Sequence, residues 1–302
     1  MDRRIKIRHM EALSAIARQG SLKAACAELN LSQPALSKTL KELEDILGAT
    51  LMERDRSGIR MTPEGDVFLE FAGQSLAALR RGFDGVKALR HGGAEVLRVG
   101  SLPSVAARLM PEAVARFRDL SPDTRLHLRD GAHGALTGEL RAGRLDMVIG
   151  RMGTAEMMTG LSFTQLYEER VVCVASPGHP LIGQAIAPQD LQGWAMLYPP
   201  EGAAIRPLID RWCVAHGLGA FADRIECVSG AFGRNYMRVA QALWFISEGV
   251  VAQDLADGRL FALPLDLSLT AGPVGLMTLP DSTRSRSAQL FTRALQDATS
   301  RN

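Results

Sequence analysis

Gln33 and Ser37 stand four residues apart, with Ser32 directly before Gln33 and Pro34 directly after it. That spacing puts both side chains on one helical face, and a capping serine with an early proline marks where such a helix starts. A glutamine there can pair bidentately with adenine in a major groove, and a serine one turn on faces the same groove. Taken singly, the two are ordinary solvent-facing side chains. Their neighbours favour the groove. Ser21, Ser32, Lys38 and Lys41 suit phosphates better than bases, and Arg54, Arg56 and Arg60 suit phosphate or minor-groove contact. Any one of these is equally a solvated polar residue; the group carries more weight than its members.

A second set of residues suits a small anion. In α/β sheets a ligand lies outside the carboxyl ends of the strands. Three such places are Pro103-Ser104-Val105, Gly131-Ala132-His133 and Gly150-Arg151. Ser104 offers a hydroxyl at a helix N-terminus and Arg151 a fixed positive charge. Further along, the loop from Tyr198 through Pro200 to Arg206 and the segment Ser229 to Arg234, with Phe232, are expected to face the same cleft. Arg151, Arg206 and Arg234 together would favour a ligand with several carboxylates. Alternatively, Arg206 and Arg234 lie on exposed helix faces and pair with local acids. His133, His179 and His216 lack the spacing of metal ligands or catalytic bases and read as loop or packing residues.

The elements that must position these groups follow from periodicity. Met10, Leu13, Ile16 and Ala17 recur at helical spacing up to Gly20; Ser21 caps a short helix rich in alanine to Leu29; Ser32 caps a third helix running to Gly48. Two short helices, a tight turn and a capped third helix make a helix-turn-helix. Two extended pieces, 51–54 and 58–62, flank a basic turn and read as a wing. Residues 64–91 form a longer helix whose Phe68, Ala72, Leu76, Leu79, Phe83 and Val86 make a narrow seam suited to pairing with another helix. Beyond residue 95, strands alternate with helices, beginning with a strand at 96–100 and one helix from Ala106 to Phe117. Such alternation predicts parallel sheets covered by helices. The expected organisation is a winged helix-turn-helix over 1–63, a linker and dimerisation helix over 64–91, and a ligand-binding α/β region over 95–302. That region divides into subdomain I, 95–166 with 270–302, and subdomain II, 167–269.

The 302 residues are 46% hydrophobic and 23% charged, which suits a folded chain of more than one domain. Net charge is only +2, with the basic excess in the first fifth of the chain. No signal peptide or membrane span is read at the N-terminus, so a cytoplasmic protein is expected. Four scattered cysteines, Cys26, Cys173, Cys213 and Cys227, read as buried thiols. No catalytic residue, metal or cofactor is expected. A P-loop, a nucleophile elbow and a dinucleotide fingerprint are all missing from the sequence. A solute-binding protein would share the cleft but not the DNA-binding end.

Gly20-Ser21-Leu22, Ala24-Ala25, Leu31-Ser32-Gln33-Pro34-Ala35-Leu36-Ser37, Leu43-Glu44, Leu47-Gly48, Glu53-Arg54 and Thr62-Pro63-Glu64-Gly65 together resemble the LysR-type transcription regulators. Gly143-Arg144-Leu145-Asp146 and Gly178-His179-Pro180-Leu181 extend that resemblance through the rest of the chain. Arg4-Ile5-Lys6, Phe232-Gly233-Arg234 and Gly249-Val250-Val251-Ala252 resemble the subgroup of protocatechuate-catabolism and galactose-binding-protein regulators. Ala132, where many relatives carry Ser or Thr, and Ala24-Ala25-Cys26 depart from the family pattern. The resemblance implies two Rossmann-like subdomains resembling periplasmic binding proteins, and a homotetramer built as a dimer of dimers. It implies promoter DNA, RNA polymerase and a small effector as partners, with activation as the commoner mode. Ser104, Arg151 and the stretch Pro200 to Arg206 correspond to effector contacts. A carboxymuconate-type effector is the expectation, and a sugar or other neutral metabolite the alternative.

Overall fold

The structure is a computed structural model of the chain that describes residues 3–55, 58–91, 94–280 and 285–300. Arg56 lies outside the described residues, as does the side chain of Arg54. Contacts divide the chain into two compact units, Met1–Glu95 with Gly138–Asp146, and Val96–Thr137 with Met147–Asn302.

The first unit opens with α1 (Ile7–Gln19), α2 (Leu22–Leu29) and α3 (Gln33–Leu47). Gly20, at φ 58°, takes the left-handed conformation that ends α1, and its N–H donates to Ile16 O. Ser32 starts α3, its hydroxyl accepting from Ala35 N–H, with Pro34 in the first turn where no donor is needed. Ser21 occupies the corresponding place before α2 but makes no side-chain cap bond, which corrects its expected role. Leu13 and Ile16 of α1 and Leu36, Leu40 and Leu43 of α3 form the core, together with Leu51. The wing is an antiparallel pair, β1 (Met52–Asp55) with β2 (Gly58–Met61), which sets Glu53 opposite Arg60.

α4 (Pro63–His91) leads away from the wing. Its expected seam splits in two. Phe68 packs on the helix-turn-helix core and Ala72 is buried, because the first turns of α4 cover that core. Leu79, Phe83 and Val86 are exposed, and Val67 and Phe71 join them.

The second unit holds two five-stranded sheets. The first is ordered β4 (Arg125–Asp130), β3 (Val96–Ser101), β5 (Met147–Arg151), β12 (Gly272–Thr278), β6 (Ser162–Glu169). The second is ordered β11 (Phe261–Ala262), β7 (Val171–Ala175), β10 (Ala242–Ser247), β8 (Ala195–Tyr198), β9 (Arg224–Glu226). Both are mixed rather than parallel: β12 runs antiparallel to β5 and β6, and β7 to β10 and β11. The strands that carry the chain from one sheet to the other enter without the helical crossover that parallel pairing requires. β6 runs to Glu169, past the expected subdomain bound at 166, so the chain crosses at Arg170 and returns after a 3-10 turn at Ser268–Thr270.

The helices of this unit are α5 (Pro103–Arg108), α6 (Met110–Leu120), α7 (His133–Arg141, shared with the first unit), α8 (Ala155–Met158), α9 (Arg206–Ala215), α10 (Gly230–Val239), α11 (Glu248–Ala256) and α12 (Arg286–Thr299). The single helix expected from Ala106 is two. Pro111 has no N–H to donate to Ala107, and the helix breaks at Leu109. Phe117 of α6 and Phe291 of α12 meet edge to face, 5.2 Å between centroids, in the core of the first sheet.

Candidate nucleic-acid interface and ligand cavity

α3 buries Leu36, Leu40 and Leu43 and leaves Gln33, Pro34, Lys38 and Lys41 exposed with Ser37 half-buried among them. The 3.6-residue period puts those five on one side of the helix. Its first turn, where a recognition helix meets base edges, carries Gln33 and Pro34. α3 shares a buried core with α1 and is tied to it by a side-chain contact as well. Arg8 Nη2 donates to Glu42 at 2.9 Å, and buried His9 approaches the same carboxylate at 3.4 Å. These two hydrogen bonds, Arg8's first, hold the Glu42 carboxyl below its ordinary pKa. Arg60 projects from β2 as an exposed cation. The arrangement presents one adenine-competent amide and several cations on one domain, which suits a duplex.

Within the second unit a cavity of about 280 Å³ opens at the carboxyl ends of β3, β4, β5, β8, β9 and β10. Leu102 to Ser104, Gly131 to Ala135 at the start of α7, Arg151, Pro200 to Ile205, Val228, and Ile246, Ser247 and Val250 where β10 passes into α11 form its walls. Most of that surface is Gly, Ala or branched aliphatic. Arg151 is 3% exposed. Its Nη1 donates to Thr270 O (3.1 Å), its Nη2 donates to Glu169 O (2.6 Å), and Glu169 Oε2 lies 4.0 Å away. Glu169 accepts from Gly249 N–H (3.0 Å) and from the Ser104 hydroxyl. Arg151 Nε and Glu169 Oε2 are buried without a hydrogen-bond partner. Burial pulls the Arg151 guanidinium below its ordinary pKa and pushes the Glu169 carboxyl above its own, each opposed by the other's charge.

Residues 7–66 match the family described as bacterial regulatory helix-turn-helix protein, lysR family, and residues 90–300 match the LysR substrate binding domain. The chain belongs to the LysR family of transcriptional regulators. It is a DNA-binding regulator and not an enzyme, of a family that binds promoter DNA and small-molecule effectors and forms oligomers. It is 40% identical over 299 residues to the HTH-type transcriptional regulator PcaQ of Agrobacterium fabrum (strain C58), covering 99% of this chain and 96% of PcaQ. It is 34% identical over 295 residues to the regulator YdcI of Escherichia coli (strain K12), covering 98% and 96% of the two. Full-length LysG of Corynebacterium glutamicum, solved with the effector Arg bound, superposes with a TM-score of 0.61 at 19% identity, covering 98% of this chain and 99% of LysG. That likeness is one of fold.

Of the cleft residues expected in this LysR-type regulator, the cavity brings together Ser104, Ala132, His133, Arg151 and Pro200. Val105 instead points into the core of the first sheet. The convergence of three arginines is corrected. Arg206 lies over the Tyr198 ring at 4.8 Å and donates to Asp210 (2.9 Å), Glu226 (3.0 Å) and Pro199 O. Arg234 donates to Asp254 at 2.7 Å and to Val250 O. Ser229 caps α10 through Phe232 N–H, and Phe232 stacks on Tyr236 with its ring partly in solvent. None of these four lines the cavity. His179 packs on Trp194 and His216 on Trp212, as packing residues do. The walls at Val228 and at Ile246, Ser247 and Val250 were missed in the sequence, although both lie at strand ends that the carboxyl-end rule would have pointed to. Among the described residues no cluster of His, Cys, Asp or Glu could hold a metal ion, and no helix is long and apolar enough to cross a membrane.

Proposed function

We propose that this regulator acts in the cytoplasm as a homotetramer, a dimer of dimers. It reads promoter DNA with the exposed side of α3 and with the wing, where Ser21, Ser32, Lys38, Lys41, Arg54, Arg56 and Arg60 hold backbone and Gln33 and Ser37 face bases. It activates transcription with RNA polymerase when a small carboxylate fills the cavity. Arg151 carries the effector reading: a buried cation on the cavity wall with an Nε–H that no protein group accepts. The first turn of α7 adds backbone donors at Gly134 and Ala135, ahead of the first helical bond from Leu136 N–H to Ala132 O. The apolar walls favour an unsaturated carbon skeleton over a sugar, whose hydroxyls would find few partners there. Likeness to protocatechuate-catabolism regulators, with 40% identity to PcaQ, supports a carboxymuconate-type ligand.

Titration calorimetry with cis,cis-muconate, 3-carboxy-cis,cis-muconate and galactose tests the effector. The muconates are expected to bind and galactose to give no heat, with Ala135→Leu, which fills the cavity, abolishing the signal. Binding of galactose alone would overturn the reading.

A further inference from the structure

Leu43-Glu44 belongs to the motif that marks the family, and Glu44 has no place among the base or phosphate contacts. Its backbone carbonyl closes α3, accepting from Gly48 N–H (2.8 Å) and Ala49 N–H (3.3 Å). Its side chain reaches beyond the helix: Oε1 accepts from the N–H of Leu51 at 2.9 Å, one residue before β1 begins. Leu51 is 1% exposed, and its carbonyl accepts from Thr62 N–H at 3.1 Å, one residue past the end of β2. The Thr62 hydroxyl donates to Thr50 O (2.7 Å) and accepts from Gly65 N–H (3.0 Å) in the first turn of α4. A Cβ on Gly65 would run into the Leu51 carbonyl, so α4 approaches the wing base as closely as backbone allows. The end of α3, both wing strands and the start of α4 are thus tied to the backbone around one buried leucine.

A two-stranded hairpin is marginal by itself, and its direction is set by what holds its base. We infer that Glu44 is a positioning residue for DNA binding, whose carboxylate fixes the wing against the recognition helix so that Arg60 meets the DNA backbone. This rests on the wing contact proposed above. Glu44 shares the α3 side that carries Gln33 and Ser37, so removing its charge near phosphates would by itself favour binding. A loss of affinity on its removal therefore reports the lost tie.

The test is a double-mutant cycle on a duplex selected by the intact regulator from a randomised pool, read by fluorescence anisotropy over a salt series. Arg60→Ala alone is expected to weaken binding several-fold and to lower the slope of log K against log salt by about 1. Glu44→Ala is expected to do the same, and Arg60→Ala to cost nothing more in its presence. Glu44→Gln, whose amide oxygen can still accept from Leu51 N–H, is expected to restore affinity and coupling. Thr62→Val, which cuts the knot from the other side, is expected to uncouple Arg60 likewise and serves where Glu44→Ala fails to fold. Additive effects of Glu44 and Arg60, full affinity in Glu44→Ala, or Glu44→Gln falling as far as the alanine variant would each overturn the role of Glu44. No effect of Arg60→Ala alone would remove the wing contact itself, and the inference with it.

Discussion

Gln33 and Lys41 share a side of α3 and have different chemistry to offer. An amide can distinguish adenine, so Gln33→Ala is expected to cost about 1–3 kcal/mol on the preferred duplex and to relax selection at one base position. Lys41→Ala is expected to weaken all duplexes alike and to lower the salt slope by about 1, measured by anisotropy at several salt concentrations. Equal loss of selectivity in both would contradict the division. Pairing is where the residue scale was least legible. Asp210, four residues after Arg206, was visible as a helical ion partner, whereas Asp254 lies twenty residues from Arg234 in sequence and meets it only through α11. Glu169 likewise gives no local sign that it will sit beside Arg151, because β6 joins β5 only through β12.

The three helices and the wing were legible because each boundary has a local cause: Gly20, Ser32 with Pro34, and Gly48. The break at Leu109 had its cause in plain view at Pro111, but the apolar pattern of α5 and α6 runs across it. β6 and the mixed sheets were not legible, since a strand's partner is chosen by where the chain crosses between sheets and not by its own residues. α4 is the element whose surface asks for company. Val67, Phe71, Leu79, Phe83 and Val86 are exposed on it, and burying each phenylalanine is worth about 2 kcal/mol. Replacing Phe71 and Phe83 together with Glu, which removes both from each of two paired subunits, is expected to weaken subunit association by at least about a thousandfold, read by sedimentation, with helix content retained in circular dichroism. An unchanged oligomer would assign those side chains another role.

At the scale of the molecule, one chain joins a cationic helix-turn-helix to an α/β region with a small, largely apolar cavity. The cations lie early in the sequence and the cavity is built from strand ends that come together only on folding. DNA chemistry was therefore readable residue by residue, while cavity chemistry narrowed from three arginines to the one whose Nε is left without an acceptor. Ligand in that cavity is expected to change how the regulator holds DNA. The most direct measurement is a nuclease footprint of the promoter region beside its own gene, with and without 3-carboxy-cis,cis-muconate at a concentration that calorimetry shows to saturate. Protection of half-sites spaced by whole helical turns, with a changed pattern when ligand is added, is the predicted result. An absent footprint, or one identical with and without bound ligand, would contradict it.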